Sequence, residues 1–249
     1  MIRHLLAPVV PGAAAALRVP RTLAPGAGGV ALTFDDGPHP EGTPAVLELL
    51  ARPRPTATGV EPRAALESAA ATVDAGAGVR ATFFVIGEQV RRRPALAAEI
   101  LAAGHLIALH GHRHRLQLRM SARELQEDLK RGAAAIEDAT GATPRLHRPP
   151  YGIYSAGGLR AARAAGLQPL LWSRWGKDWR RLTTPARIAA RATRDLSAGD
   201  VILLHDADFY SARDSHLRTA AALALIMREL QSRKLGTVLP VCQACHAQT

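Results

Sequence analysis

The chain has 249 residues, 47% of them hydrophobic and 21% charged; that suits one barrel-sized domain or two small ones, and no linker demands two. Its 32 Lys and Arg exceed its 21 Asp and Glu for a formal charge of +11, an excess carried mostly by Arg scattered along the chain. Aromatics make up only 4% and are not interleaved with basic runs, which argues against a nucleic-acid platform, and no stretch approaches a membrane-spanning helix, so a soluble chain is expected.

At the N-terminus, Met1 to Pro25 carries Arg3 and some apolar residues, but Pro8, Pro11 and Pro20 interrupt them and Arg18 and Arg21 follow. No continuous apolar core of a signal peptide survives, and the compartment stays open between cytoplasm and cell envelope. Short apolar runs then alternate with longer amphipathic segments. Strands are expected over Val30 to Phe34, Ala81 to Ile86, Leu106 to Leu109, Arg145 to Arg148, Gln168 to Trp172, Asp200 to Leu204 and Thr237 to Val241. Helices are expected over Pro44 to Leu50, Pro94 to Ala103, Ser121 to Ala139, Ser155 to Ala165, Pro185 to Leu196 and Ser215 to Lys234. Ser121 and Glu124 form a capping box, Pro44, Pro94 and Pro185 suit first helical turns, and glycines such as Gly141 and Gly166 fall just past helical segments.

This alternation predicts a single α/β domain whose parallel sheet closes into a barrel, with the site at the C-terminal ends of the strands. The expected organisation is an N-terminal extension over residues 1–29, a catalytic domain over 30–241 and a tail over 242–249. Residues 52–78, rich in Pro, Ala, Thr and Gly, exceed any necessary connection and read as a surface insertion, with a helix over Ala64 to Val73 as an option. In the tail, Cys242, Cys245 and His246 form Cys-x-x-Cys-His, a pattern of haem attachment or redox pairing. An incidental tail pair, a disulfide if the chain is exported, is the default reading.

Residues with chemistry cluster just after the apolar runs. Asp35 and Asp36 end the first one. His110 and His114 are four apart, so one helical turn would put both imidazoles on one face, a spacing that metals use. His112 lies in the same run and His105 just upstream, and both are open to being surface or core histidines. Two imidazoles and one carboxylate leave room for water, the open arrangement of catalytic zinc. One of Asp35 and Asp36 would ligate while the other takes a proton from that water, with Arg148 as the obvious cation nearby. His205 is well typed as an acid for a leaving amine, and Asp178 is placed to orient it. Each has a blander alternative: Asp206 neutralising His205, Asp178 as a surface loop carboxylate, Pro149-Pro150-Tyr151-Gly152 as a rigid turn.

In order, Thr33-Phe34-Asp35-Asp36-Gly37-Pro38, Ala81 to Gly87, Gly104-His105 through His110-x-x-x-His114, Arg148-Pro149-Pro150-Tyr151-Gly152, Asp178-Trp179 and Leu203-Leu204-His205 resemble the motif series of the polysaccharide deacetylases, the NodB-homology domain of carbohydrate esterase family 4. The resemblance covers about residues 30–241. It implies a distorted (β/α)7 barrel and metal-dependent removal of N- or O-acetyl groups from glycans, with Zn2+ or another divalent transition metal as cofactor. Carried onto matching positions, Asp35 would be the base, Asp36, His110 and His114 the metal ligands, and His205 the acid. Arg148 would pair with Asp35, the Tyr151 amide would face the oxyanion, and Asp178 would tune His205. Trp179 and Leu203 would line the acetyl pocket, with Pro150 beside the substrate. Gly111 stands where the family commonly has a small hydroxyl residue, and Leu109 where Asn is frequent. The expected substrate is an acetylated cell-envelope or related glycan, or a lipid-linked sugar approached by peripheral membrane contact and deacetylated or deformylated there. A carbohydrate-binding relic without turnover is the third reading; the oligomeric state is left open.

Overall fold

The structure, a computed structural model, describes residues 8–52 and 78–240. Its centre is β1 (Gly29–Asp35), every residue of which is buried. A run of seven buried residues, with no polar alternation, has both faces covered, as a central parallel strand requires. On one side β1 pairs in parallel with β2 (Thr82–Val85), followed outward by β3 (Leu106–Leu109), β4 (Leu146–His147) and β5 (Gln168–Pro169). On the other side it pairs with β7 (Val201–His205), and β7 pairs with β6 (Arg174–Trp175). A short β8 (Gly236–Thr237) pairs with the first residues of β1.

The ends of this sheet are consecutive in sequence. Residues 168–175 pair with β4 in their first half and with β7 in their second, so one stretch of chain closes a distorted (β/α)7 barrel. The single strand expected over Gln168 to Trp172 is therefore two short ones. The amides of Gln168 and Leu170 donate to Arg145 and His147 on β4. Pro169, whose position faces the other way, has no N–H to give. Leu171 turns its amide to the carbonyl of Pro20 instead (2.9 Å).

That contact places the N-terminal segment in the barrel seam. Arg21 Nε donates to the Trp172 carbonyl, the Leu23 amide to Gly199, and Thr22 bridges Asp200. Just upstream, α1 (Val10–Ala16) carries Pro11 in its first turn, where proline is tolerated, and buries Val10 and Ala14 in the main core. The prolines that break a signal-peptide pattern are thus compatible with a short helix.

The connecting helices follow the expected punctuation. They are α2 (Gly42–Ala51), α3 (Gly87–Arg92), α4 (Pro94–Ala102), α5 (Ala122–Thr140), α6 (Ala156–Ala164), α7 (Pro185–Ala192) and α8 (Ser215–Ser232). Helix α5 has the Ser121–Glu124 capping box and ends on Gly141 in the left-handed region; Ser155 and Thr184 cap α6 and α7. Helix α3, wedged directly after β2, has no counterpart in the sequence reading. The segment between residues 52 and 78 and the Cys242–Cys245 tail lie outside the described residues, but the ends of the former meet: the Val79 amide donates to Leu50 (2.8 Å). No helix of the described residues is long and apolar enough to cross a membrane.

Candidate active site

The register of β1 against its neighbours sets Asp35 level with His205 on β7 and Phe84 on β2, so three parallel strands bring their C-terminal ends to one end of the barrel. Asp35 is 2% exposed. Its Oδ1 accepts a 2.6 Å hydrogen bond from Nη1 of Arg148. Arg148, fully buried just past β4, also donates to Thr33 Oγ1 and to the carbonyls of Leu170 and Leu171, and stacks 3.9 Å from the Phe84 ring centroid. Burial lowers its pKa and the Asp35 carboxylate opposes that shift. A guanidinium so fully bonded holds one carboxylate oxygen in a fixed place.

Asp36 adopts φ 81, a left-handed conformation uncommon for a non-glycine residue. Its Oδ1 stands 3.4 Å from Nε2 of His110 and 3.3 Å from Nε2 of His114. These spacings are of the size expected when three ligand atoms share an ion at roughly 2.0–2.2 Å. His110 Nδ1 lies 2.7 Å from the Arg148 carbonyl; a carbonyl only accepts, so Nδ1 carries a proton and Nε2, facing Asp36, is the nitrogen left to ligate. A ligating histidine needs that tautomer. The residues present therefore fit a divalent transition metal.

The two imidazoles are not on a helix. Residues 110–116 form a loop that turns at Gly111 (φ 92), where an added Cβ would meet Asp128 Oδ2 at 3.0 Å. A spacing of four matches a helical turn, but the left-handed glycine stops a helix from starting there. Asp128 on α5 accepts from the amides of His112 and Arg113, and the first amides of α3 bond the carbonyls of Gly111 and His112. Burial raises the Asp128 carboxyl despite those bonds. His112 and His105 are both core residues, 3% and 6% exposed.

Across the cavity, His205 Nδ1 is 2.9 Å from Asp178 Oδ1, while Asp178 Oδ2 accepts from the His205 amide and from Thr219 Oγ1 on α8. Burial alone would raise the Asp178 carboxyl, but the His205 ring and these hydrogen bonds outweigh it and leave its pKa lowered. Asp206 does not serve His205 in this way. It bonds the Thr43 hydroxyl, and burial raises its carboxyl to about 7.

Asp35, His110 and His205 open onto a cavity of about 380 Å³, walled by Tyr151, Trp179 and Leu203. Val10, Trp172 and Trp175 add to its apolar lining. Tyr151 holds φ 63 in its turn, and Trp179 meets the His205 ring edge-on at 5.6 Å. Pro150 is buried in the same turn as Tyr151 but is not among the residues lining this cavity. The other predicted site residues, Arg148 and Asp178 included, converge on this end of the barrel.

The sequence reading gives Thr33 no role of its own, and Asp128, Thr219, Tyr210 and Val10 escape it. A second His–Asp–His group also lies beside the first. His39 Nε2 is 3.3 Å from Asp208 Oδ1, and His216 Nδ1 is 3.4 Å from Asp208 Oδ2. The amides of Glu41 and Gly42 donate to His39 Nδ1. Burial and the neighbouring His216 lower the His39 pKa, against Asp208. His39 and Asp208 follow β1 and β7 as closely as the motif residues do, which is the signal that could have found them.

Comparison with known proteins places this geometry in context. The sequence profile described as polysaccharide deacetylase matches residues 66–170. A peptidoglycan-N-acetylglucosamine deacetylase of Bacillus cereus is 32% identical over 206 residues, 82% of either chain. A chitooligosaccharide deacetylase of Bradyrhizobium is 33% identical over 211 residues, 82% of this chain and 85% of that one. Among solved structures, a family 4 carbohydrate esterase from Streptomyces lividans in complex with acetate superposes with a TM-score of 0.70 at 28% identity, covering 87% of this chain and 94% of that one.

Proposed function

The chain belongs to the polysaccharide deacetylase family, carbohydrate esterase family 4, and on that premise we propose that it removes acetyl groups from an N-acetylglucosamine-containing glycan with a divalent metal held by Asp36, His110 and His114. One observation carries the reading: Asp35 braced by Arg148 and His205 braced by Asp178 face a single cavity beside that ligand trio.

When bound there, zinc or another divalent transition metal supplies Lewis acidity, polarising the acyl oxygen and acidifying water. Asp35 takes the proton from the attacking water. Its Oδ1 is engaged by Arg148, which leaves Oδ2, 3.8 Å from His110 Nε2, as the basic oxygen. His205 returns a proton to the leaving nitrogen from Nε2, because Nδ1 is committed to Asp178. The carboxylate fixes the ring orientation and stabilises the imidazolium that donates. The Tyr151 backbone amide faces the developing oxyanion, and its left-handed backbone is the kind of strained position that reactive sites retain. Trp179 and Leu203 enclose the acetyl methyl and keep water from its far side.

A lipid-linked sugar is the second substrate reading. It is favoured by Val10, Trp172 and Trp175, which give the cavity more apolar wall than one methyl group covers. The deciding experiment is acetate release from N-acetylglucosamine oligomers by protein stripped of metal and then reloaded with zinc, with Asp35→Asn as control. Zinc-dependent release that the variant lacks is expected. Stoichiometric zinc binding with no release would remove the oligomer reading and turn the assay to polyprenyl-linked sugars.

A further inference from the structure

The loop after β7 carries side chains that the proposed chemistry does not use. Tyr210 lies flat on the imidazole of His114, with ring centroids 4.2 Å apart and 14° between planes. Tyr151 meets the same imidazole edge-on at 4.6 Å and 72°. One ring on the face and one at the edge restrict rotation of an imidazole carried by a loop, where neither helix nor strand sets its direction.

Tyr210 is itself held from two sides. Its hydroxyl is 3.4 Å from Nε2 of Gln89, a buried residue of α3 whose Oε1 accepts from Arg93. Arg93 in turn lies over the ring of Phe209, 5.2 Å from its centroid. On the other side Phe209 packs against His39 at 4.8 Å, and Asp208 takes the amide of Asp214 while facing His39 and His216. Residues 208, 209 and 210 are thus anchored in succession, and the last of them lands on His114.

We propose that Tyr210 is a positioning residue for the metal site, aligning Nε2 of His114 by ring stacking, and that the His39–Asp208–His216 group is the anchor that puts it there. The proposal rests on the reading of His114 as a metal ligand. What Tyr210 contributes is its ring, not its hydroxyl, so Phe should replace it and Ala or Leu should not.

The test is zinc affinity by chelator competition on the full chain, for the wild type and for Tyr210→Phe, Tyr210→Ala, Tyr210→Leu and His114→Ala. Denaturation midpoints of the metal-free proteins are measured alongside, and the cobalt(II)-loaded proteins are compared by visible absorption. Tyr210→Phe is expected to bind zinc within twofold of wild type and to keep its cobalt spectrum. Tyr210→Ala and Tyr210→Leu are expected to bind about tenfold more weakly, the range for partners that orient a ligand, with altered cobalt bands. Wild-type zinc affinity in both truncations, with affinity lost in His114→Ala, would overturn the positioning role alone. Full affinity in His114→Ala would instead remove the ligand reading beneath it. A purely structural tyrosine would lower the metal-free midpoint and leave the zinc constant of the folded protein unmoved.

Discussion

Two His–Asp–His groups lie at this end of the barrel, and their heavy-atom spacings are nearly the same: 3.4 and 3.3 Å in one, 3.3 and 3.4 Å in the other. They differ in the backbone group that meets a histidine Nδ1. At His110 it is a carbonyl, so Nδ1 is protonated and Nε2 is the nitrogen left to ligate beside Asp36. At His39 it is a pair of amides, so Nδ1 accepts, and Nε2 carries the hydrogen and faces Asp208 at 3.3 Å. The first arrangement suits a cation, and in the second the backbone amides fix the His39 ring in place. Donor spacing alone does not distinguish them.

Replacing one histidine in each group tests this contrast directly. His110→Ala is expected to abolish acetate release and to weaken zinc binding by more than the roughly 100-fold that loss of an orienting partner can cost. His39→Gln is expected to change zinc affinity by less than tenfold. Isothermal titration of both variants decides: a loss at His39 equal to that at His110 would make the second group a metal site and dissolve the distinction.

Next in size is Arg148→Met, aimed at what surrounds the first group. The guanidinium is fully buried and carries Asp35, Thr33 and two carbonyls. Removing it leaves a buried carboxylate without its cation, at a cost of about 3–5 kcal/mol in denaturant unfolding. Adding Asp35→Asn should recover part of that loss, and a purely additive double variant would show that the two residues are not coupled. The second group has a smaller stake. His39→Gln should cost about 1–3 kcal/mol, the scale for buried polar partners left unbonded, because Asp208 and the two amides at Nδ1 lose their partner.

Much of this architecture is legible in the sequence because strand ends and reactive residues coincide. Asp35, Asp36, His110, Arg148 and His205 each follow an apolar run, and parallel strands deliver those positions to one end. Capping signals at Ser121, Ser155 and Pro185 fix helix starts from purely local chemistry. What stays hidden depends on contacts between distant residues. Tyr210 meets His114, and Asp128 fixes the loop of His112, across long sequence separations that no local pattern encodes. The spacing of His110 and His114 suggests a helical turn, but the left-handed backbone of Gly111 makes it a loop. The partner switch within residues 168–175 is equally invisible, because one apolar stretch serves two strands. The tautomers that separate the two histidine groups depend on which backbone group each ring faces.

The smallest expected effect concerns pH. His105 and His147 are buried, and burial above all lowers their pKa values to about 4 and about 3 from 6.5, helped at His105 by Arg80. Both are neutral in the folded and unfolded chains above pH 6.5. Below it the unfolded chain takes up protons that the folded chain refuses, so each costs stability on acidification, by at most about 1.4 kcal/mol per pH unit. Asp206 acts in the opposite sense: raised to about 7 from 3.8, it keeps its proton in the folded chain, and its contribution is lost as pH rises toward 7. His39 and His112, also lowered, act with the two histidines, and Asp128, also raised, acts with Asp206; between pH 6 and 4.5 the four histidines outweigh the two carboxyls, and metal-free protein should lose stability as pH falls. His105→Gln should make that slope shallower, and Asp206→Asn should steepen it. Denaturant midpoints across this interval read both changes, and a slope that steepens in His105→Gln would mean that His105 is protonated in the folded chain.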